Sequence, residues 1–113
     1  MRRLALVIMA SLAVAPAAKA AESQVERGEA LFRHTCFVCH FPGGTGTNVL
    51  ARRVGPERSL LYQRTDLVPS YVRAVVRKGT GSMPWMSKVE VPDADLDAII
   101  AYLTRNNPPA ARR

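Results

Sequence analysis

Three side chains, Cys36, Cys39 and His40, form a Cys-x-x-Cys-His sequence, which is the attachment motif of a c-type haem. Residues three and four apart share one face of a helical turn, so the two thiols and the imidazole should point to the same side. We therefore expect both sulfurs to bond covalently to the haem vinyl groups and His40 to ligate the iron. The alternative, a redox disulfide, would need a βαβ context that this sequence lacks.

The second axial ligand of the iron has to come from elsewhere in the chain. The candidates for a soft thioether ligand are Met83 and Met86, because Met1 and Met9 lie in an N-terminal leader. Met83 is favoured, since the following Pro84 restricts its backbone to an extended conformation. Met86 is the alternative ligand and is otherwise expected to pack against the ring or in the core.

Two further sets of ionisable side chains are expected to take no part in the chemistry. His34 lies two residues before Cys36, on the same side of the haem as the motif histidine, so we expect it to face solvent. Asp93, Asp95 and Asp97 lie in the first turns of the last predicted helix, where carboxylates suit the positive end of the helix dipole. Their expected role is structural.

The N-terminus has the features of a secretory signal peptide. Arg2 and Arg3 precede an apolar run over residues 4–15, and Ala18-Lys19-Ala20 offers small residues at the positions a signal peptidase reads. The run is about a dozen residues long, whereas roughly twenty are needed to span a bilayer. We therefore predict a leader at 1–20, cleavage without stable membrane insertion, and a location in the periplasm.

Removal of the leader leaves 93 of the 113 residues and lowers the formal net charge from +7 to +4, because three basic residues leave with it. The remaining basic residues are scattered and not interleaved with aromatics, so no nucleic-acid interface is expected. A mildly positive surface suits redox partner proteins with an acidic docking face. The candidates for docking or for contacts with haem propionates are Arg33, Arg52, Arg53 and Lys88.

A first helix is predicted to lead into the haem motif. The capping-box spacing of Ser23 and Glu26 predicts that this helix begins at Ser23. Gly28, Phe32 and Cys36 follow at intervals of four and should stack on one face. A mid-helix glycine normally costs about 1 kcal/mol relative to alanine, so Gly28 indicates a close contact with another helix.

The rest of the chain is predicted to form one small domain, 21–107, followed by a disordered tail, 108–113. A domain this short buries only a modest core, which a bound haem would complete. The apolar stripe of the third predicted helix is expected to pack in that core. Loops are predicted at 41–48 and 80–91, and helical elements at 57–63, 70–78 and 93–105.

The sequence resembles the class I c-type cytochromes in the order of its motifs. The matching segments are Gly28-x-x-x-Phe32-x-x-x-Cys36-x-x-Cys39-His40, Gly55-Pro56, Met83-Pro84 and Ile99-Ile100-Ala101-Tyr102-Leu103. The resemblance implies an all-α fold, with three to five helices around one covalently attached haem c and with the first and last helices crossing. It also implies His40 and Met83 as axial ligands, and a Pro56 carbonyl that accepts the Nδ1 proton of His40.

A narrower resemblance concerns the stretch from Tyr71 to Leu103, with its Val-Arg-Lys-Gly before Met-Pro. This stretch is similar to the cytochrome subunit of p-cresol methylhydroxylase and related flavocytochromes. The similarity implies a flavoprotein dehydrogenase subunit as partner. Trp85-Met86 departs from the small or phenylalanine-containing segment expected after Pro84.

With both axial positions filled, the iron has no open site for a substrate, so we expect an electron carrier and not an enzyme. One alternative is the cytochrome subunit of a flavin-dependent, phenol-oxidising dehydrogenase complex, which would be recognised by its tight flavoprotein partner. The other is a haem enzyme or gas sensor with an open sixth site, which would bind carbon monoxide.

Overall fold

The computed structural model describes the backbone of residues 15–109 and the side chains of residues 23–109. Two 3₁₀ turns, Pro56–Arg58 and Leu61–Gln63, precede the fourth helix, and this part of the chain contains an isolated bridge between Thr80 and Met83 but no strand. The predicted all-α fold is confirmed. The five α-helices are α1 (Ala15–Thr35), α2 (Phe37–His40), α3 (Thr45–Val54), α4 (Pro69–Lys78) and α5 (Asp93–Thr104).

The predicted leader and tail fall largely outside the described residues, which exclude 1–14 and 110–113. Cleavage after residue 20 and a disordered tail from 108 therefore stay predictions. Between residues 15 and 109, no helix is both long enough and apolar enough to cross a membrane.

Helices α1 and α5 cross with their backbones in direct contact at Gly28. This glycine is buried, and a Cβ added to it would overlap the carbonyl oxygen of Ala98 and lie 3.0 Å from Cβ of Tyr102. Any side chain at this position would push the two helices apart. The close helix contact predicted from Gly28 is confirmed.

Phe32 lies one turn after the crossing point and is only 1 % exposed. Its ring centroid lies 5.7 Å from that of Tyr102 on α5 and 6.1 Å from that of Phe37 on α2. Burial of a ring of this size contributes roughly 1.5–3 kcal/mol to folding. Phe32 thus links the terminal helices to the helix that carries the haem motif, and its predicted packing against Tyr102 is confirmed.

The first helix begins earlier than predicted. It starts at Ala15, so Ser23 lies inside α1 and the prediction that it caps the helix is wrong. The reason is the composition of the preceding segment, since five of the eight residues from Ala15 to Glu22 are alanine, the strongest helix former. Pro16 is tolerated because it lies in the first turn, where its missing N–H has no helical partner to bond.

The glycine-rich loop is shorter than predicted and ends at Gly44. Helix α3 begins at Thr45, within the predicted loop 41–48. Its first turn is held by two polar side chains: the hydroxyl of Thr47 donates to the carbonyl of Phe41 (2.8 Å) and the amide of Asn48 donates to that of Gly43 (3.0 Å). Thr47 and Asn48 are residue types that are common in loops, but in this chain their side chains stabilise the start of a helix.

The later elements follow the predictions closely, with one exception. Helices α4 and α5 each agree to within one residue at either end, and α4 ends at Gly79, which has φ 72°. The single element predicted at 57–63 is instead split into the two 3₁₀ turns. The first turn is closed by the hydroxyl of Ser59, which donates to the carbonyl of Pro56 (2.7 Å).

The acidic residues of α5 have the structural role predicted for them. Each one pairs with a basic residue on another element. The salt bridges join Asp93 to Arg77 and Lys88, Asp95 to Arg27, and Asp97 to Arg73.

Gly28→Ala should destabilise the haem-loaded protein by roughly 1–3 kcal/mol, because overlap with Ala98 outweighs a helix-propensity gain of about 1 kcal/mol. Denaturant unfolding followed by far-UV circular dichroism measures the change. The control is Ala30→Gly on the exposed side of the same helix, which should cost about 1 kcal/mol. A stabilised Gly28→Ala variant would contradict the backbone contact.

Candidate haem site

A mostly apolar cavity of about 330 Å³ lies between the haem motif, α3, α4 and α5. Its volume is within the range of small-molecule and cofactor sites, which starts at about 300 Å³. Cys36, Cys39 and His40 all line it. The three side chains that the motif spacing predicted to share a face are therefore brought to one cavity.

Helical geometry continues through the motif although α1 ends at Thr35. The backbone N–H of Cys36 donates to the carbonyl of Phe32 (2.9 Å), and the carbonyl of Cys36 accepts from the N–H groups of Cys39 (3.2 Å) and His40 (3.1 Å). These bonds close one turn, so the motif residues are stacked as on a regular helix. Both cysteines are free thiols.

The two thiols differ in environment. Cys39 is exposed, whereas burial raises the pKa of Cys36 to about 11, and the nearby Cys39 adds to the effect. Redox cysteines in Cys-x-x-Cys motifs have a lowered pKa, because their thiolate is the reactive form. The raised pKa of Cys36 therefore argues against the redox-disulfide alternative.

His40 is a buried imidazole, 9 % exposed. Desolvation lowers its pKa, so the ring is neutral at pH 7, as a metal ligand requires. A Cβ added to Gly46 would lie 3.0 Å from Nδ1 of His40 and 2.9 Å from its Cε1, so the absence of a side chain at Gly46 makes room for this edge of the ring.

The hydrogen bond that the resemblance implies between His40 and Pro56 is not formed. The carbonyl of Pro56 accepts from the hydroxyl (2.7 Å) and the N–H (3.3 Å) of Ser59. Nδ1 of His40 is buried and has no hydrogen-bond partner among the described residues. The Pro56 carbonyl, which was predicted to orient His40, therefore accepts hydrogen bonds that close the 3₁₀ turn.

Both candidate thioether ligands line the cavity and are half-buried. Met83 closes a tight turn, in which its N–H donates to the carbonyl of Thr80 (2.9 Å) and its own carbonyl accepts from the N–H of Thr80 (3.1 Å). The N–H of Met86 donates to the carbonyl of Val76 on α4 (2.7 Å). His34 is exposed and does not line the cavity, as predicted.

The apolar stripe of α4 lines the cavity, although the sequence predicted ordinary core packing. Val76 is buried, but Val72 and Val75 are only half-buried, and Tyr71 is 59 % exposed. All four residues line the cavity. An apolar helix face that the protein itself covers only in part is expected where a bound cofactor would cover the rest.

Two arginines, Arg53 and Arg64, line the cavity. Arg64 is held by Asp66, which accepts from its Nε (2.7 Å) and Nη2 (3.0 Å), and Arg58 also pairs with Asp66. The hydrogen bond from Arg64 is the main cause that lowers the pKa of Asp66 to about 2. A positive charge is thus fixed in the cavity wall, where it suits an anionic group such as a haem propionate.

Of the four cations proposed for docking or propionate contacts, only Arg53 lines the cavity. Arg33 pairs with Glu29 (2.8 Å) and lies over the ring of Phe37, and Lys88 pairs with Asp93. Arg52 is exposed. Sequence reasoning missed Arg64, although an aspartate two residues later was a signal that this arginine could be held in place.

The residues of the cavity fit a c-type haem. It offers two thiols on one helical turn, a buried neutral imidazole, a choice of two thioethers, apolar walls and two cations. An ordinary polar-substrate site would instead present several converging polar groups.

Asp66→Asn should lower the thermal stability of the haem-loaded protein slightly at pH 7, by at most about 1 kcal/mol, since the pair is solvent-screened. Because folding depresses the pKa of this carboxyl to about 2, its contribution is present above about pH 4 and is lost as the pH falls towards 2. Melting curves of wild type and variant should therefore converge over that range.

The control is Glu57→Gln, an exposed carboxylate with no salt-bridge partner in the described part of the chain, which should leave stability unchanged at pH 7. A difference between wild type and Asp66→Asn that persists at pH 2 would contradict the charge-based explanation.

Comparison with known proteins agrees with the geometry of the site. A family model described as cytochrome c oxidase, cbb3-type, subunit III matches residues 23–103, which include the haem motif, the Met83 segment and nearly all of α5. No curated protein and no solved structure matches the chain. The match supports the resemblance to class I c-type cytochromes and implies haem c binding. The chain therefore belongs to the family of cytochrome c oxidase, cbb3-type, subunit III, whose domain is an electron-carrying c-type cytochrome.

Proposed function

We propose that the mature protein is a periplasmic electron carrier with one haem c, attached through Cys36 and Cys39 and ligated by His40 and Met83. The observation that carries the proposal is that these four side chains line one apolar cavity. The periplasmic location is supported by the leader pattern at 1–20 and by the need for both cysteines in a covalent attachment.

The haem would supply a one-electron Fe(III)/Fe(II) couple, and the chain sets its environment. The neutral imidazole of His40 and the thioether of Met83 would hold the iron, and the two ligands together would leave no coordination position for a substrate. The soft sulfur favours Fe(II), and the apolar walls disfavour the more positive oxidised state. Both effects raise the reduction potential.

Partner proteins are proposed to dock where the cavity opens to solvent. Three residues both line the cavity and are exposed to solvent: Cys39, Val38 (71 % exposed) and Tyr71 (59 % exposed). A small exposed apolar surface of this kind suits transient redox complexes, which bury little area. The net positive charge of the mature chain suits a partner with an acidic face.

A second candidate is the cytochrome subunit of a flavin-dependent, phenol-oxidising dehydrogenase. The Val-Arg-Lys-Gly segment before Met83-Pro84 supports it, whereas Trp85-Met86 departs from the segment expected after Pro84 in that group. The name of the matched family adds a cbb3-type cytochrome c oxidase as another partner to test. Mild purification from the native source, followed by assays for flavin and for additional haem proteins, separates these assemblies from a free carrier.

Expressed with its leader and a haem-attachment system, the protein should retain its haem after acid–acetone extraction. The Cys36→Ala/Cys39→Ala variant should release it, because the thioether bonds cannot form. Absorbance of the extracted fraction measures the result. Extraction of free haem from the wild type would refute covalent attachment.

Met83→Ala should abolish the weak near-infrared sulfur-to-iron band of the oxidised protein. The variant should become partly high spin, bind carbon monoxide and fall in reduction potential, because the soft ligand is lost. Near-infrared absorbance, carbon monoxide titration and potentiometry measure these changes.

Met86→Ala is the matched control, since Met86 lines the same cavity three residues later and should keep the band. If Met86→Ala loses the band and Met83→Ala keeps it, Met86 is the ligand. A wild type that lacks the band and binds carbon monoxide readily would favour the haem enzyme or gas sensor instead.

A further inference from the structure

Residues 80–92 connect α4 to α5 without forming a helix and carry the proposed ligand Met83. The backbone of this segment is tied at few points. Its first turn is closed between Thr80 and Met83, and its middle is tied to α4 by the bond from Met86 N–H to the carbonyl of Val76. Beyond Met86, the segment forms bonds of its own: the N–H of Val91 donates to the carbonyl of Ser87, the N–H of Ser87 donates to the Glu90 carboxylate, and the N–H of Glu90 donates to the Ser87 hydroxyl.

Val91 packs in the core and Lys88 pairs with Asp93 of α5, and one side chain of α4, that of Arg77, binds the backbone of this segment at three carbonyls. Its Nη1 donates to the carbonyls of Met86 (3.1 Å) and Ser87 (3.2 Å), and its Nη2 donates to the carbonyl of Val91 (2.8 Å) and to Asp93 (2.8 Å). A single guanidinium thus joins the middle of the segment, its end and the start of α5.

The Arg77 side chain is only 18 % exposed, so its bonds to the three backbone carbonyls are partly shielded from water, whereas its partner Asp93 is 50 % exposed. Hydrogen bonds from a charged donor are roughly twice as strong as neutral ones, and shielding strengthens them further. Arg77 is absent from the cavity lining. Any effect of Arg77 on the site must therefore pass through the backbone that it binds.

The end of α4 also lies directly against the segment near Met83. A Cβ added to Gly79 would lie 2.8 Å from the carbonyl oxygen of Met83 and 2.9 Å from the nitrogen of Trp85. The turn that contains Met83 therefore packs directly against Gly79, the residue that follows α4. Movement of the segment away from α4 would move Met83 with it.

We propose that Arg77 is a positioning residue that keeps the Met83 thioether at the haem iron by fastening residues 86–91 to α4. The inference rests on the proposed function, because it takes Met83 as the axial ligand. A thioether is a weak ligand on a flexible side chain, so its occupancy depends on how well the backbone is held in place beforehand. Lysine would substitute only in part, because it lacks the planar fork that reaches four acceptors at once.

The test compares Arg77→Ala and Arg77→Lys with the matched control Arg73→Ala. Arg73 lies one turn earlier on the same helix and pairs with Asp97 of α5, so its loss also removes a salt bridge between α4 and α5 but no bond to the segment. In each haem-loaded protein, the near-infrared band and the far-UV circular dichroism are followed during the same thermal melt.

In wild type and Arg73→Ala, the band should disappear together with the helices. In Arg77→Ala, the band should disappear at a lower temperature than the helices. The fraction of molecules that bind carbon monoxide at room temperature should rise roughly tenfold or more. Arg77→Lys should be intermediate, since lysine keeps the charge and can satisfy only part of the acceptor set.

Coincident loss of band and helices in both Arg77 variants would overturn the proposal while leaving the electron-carrier function intact. If Arg77→Ala does not fold, Arg77→Lys decides in the same way. Absence of the band from the wild type would overturn both the Met83 assignment and the role of Arg77. That outcome is distinguishable, because haem attachment through the cysteines is read separately by acid–acetone extraction.

Discussion

The backbone contact between α1 and α5 at Gly28 is the constraint on which the site depends. Because no side chain separates the helices there, Phe32 reaches the ring of Tyr102, and the next turn of α1 delivers Cys36 to the cavity. The same crossing brings α5 residues into the opposite wall. The haem motif is local in sequence, but its position against the rest of the cavity is set by this one long-range contact.

Irregular segments in this small domain are held by side chains that donate to backbone carbonyls. Arg105 binds the carbonyl of Tyr62 (3.0 Å) and Asn107 that of Leu67 (2.7 Å), much as Arg77 binds the segment before α5. A chain of this size buries only a small apolar core, so its loops gain little stability from apolar contacts. Exposed salt bridges contribute little, whereas a shielded arginine that satisfies several carbonyls fixes a loop in one conformation.

Features encoded within a few residues were predictable, and features that depend on distant partners were not. The motif spacing, the stop of α4 at Gly79 and the acidic start of α5 at Asp93 are local signals, and the structure follows them. The cap at Ser23 failed because alanine-rich sequence upstream competes with it. The four bonds of Arg77 reach residues 9 to 16 positions further along the chain, so no local pattern could reveal them. The pairing of Arg64 with Asp66 was a local signal that the sequence analysis missed.

The backbones of the two candidate thioether ligands are held in different ways. Met86 is bonded on both sides to α4, through its N–H to Val76 and through its carbonyl to Arg77, so it serves as an anchor of the segment. Met83 bonds only to Thr80 within its own turn, and Pro84 then keeps the chain extended. In the proposed arrangement, Met86 would hold the segment on α4, and the turn that contains Met83 would present its thioether to the haem. Since α4 supplies both the anchor and a cavity wall, this helix would couple the apolar environment of a bound haem to the position of the proposed Met83 ligand.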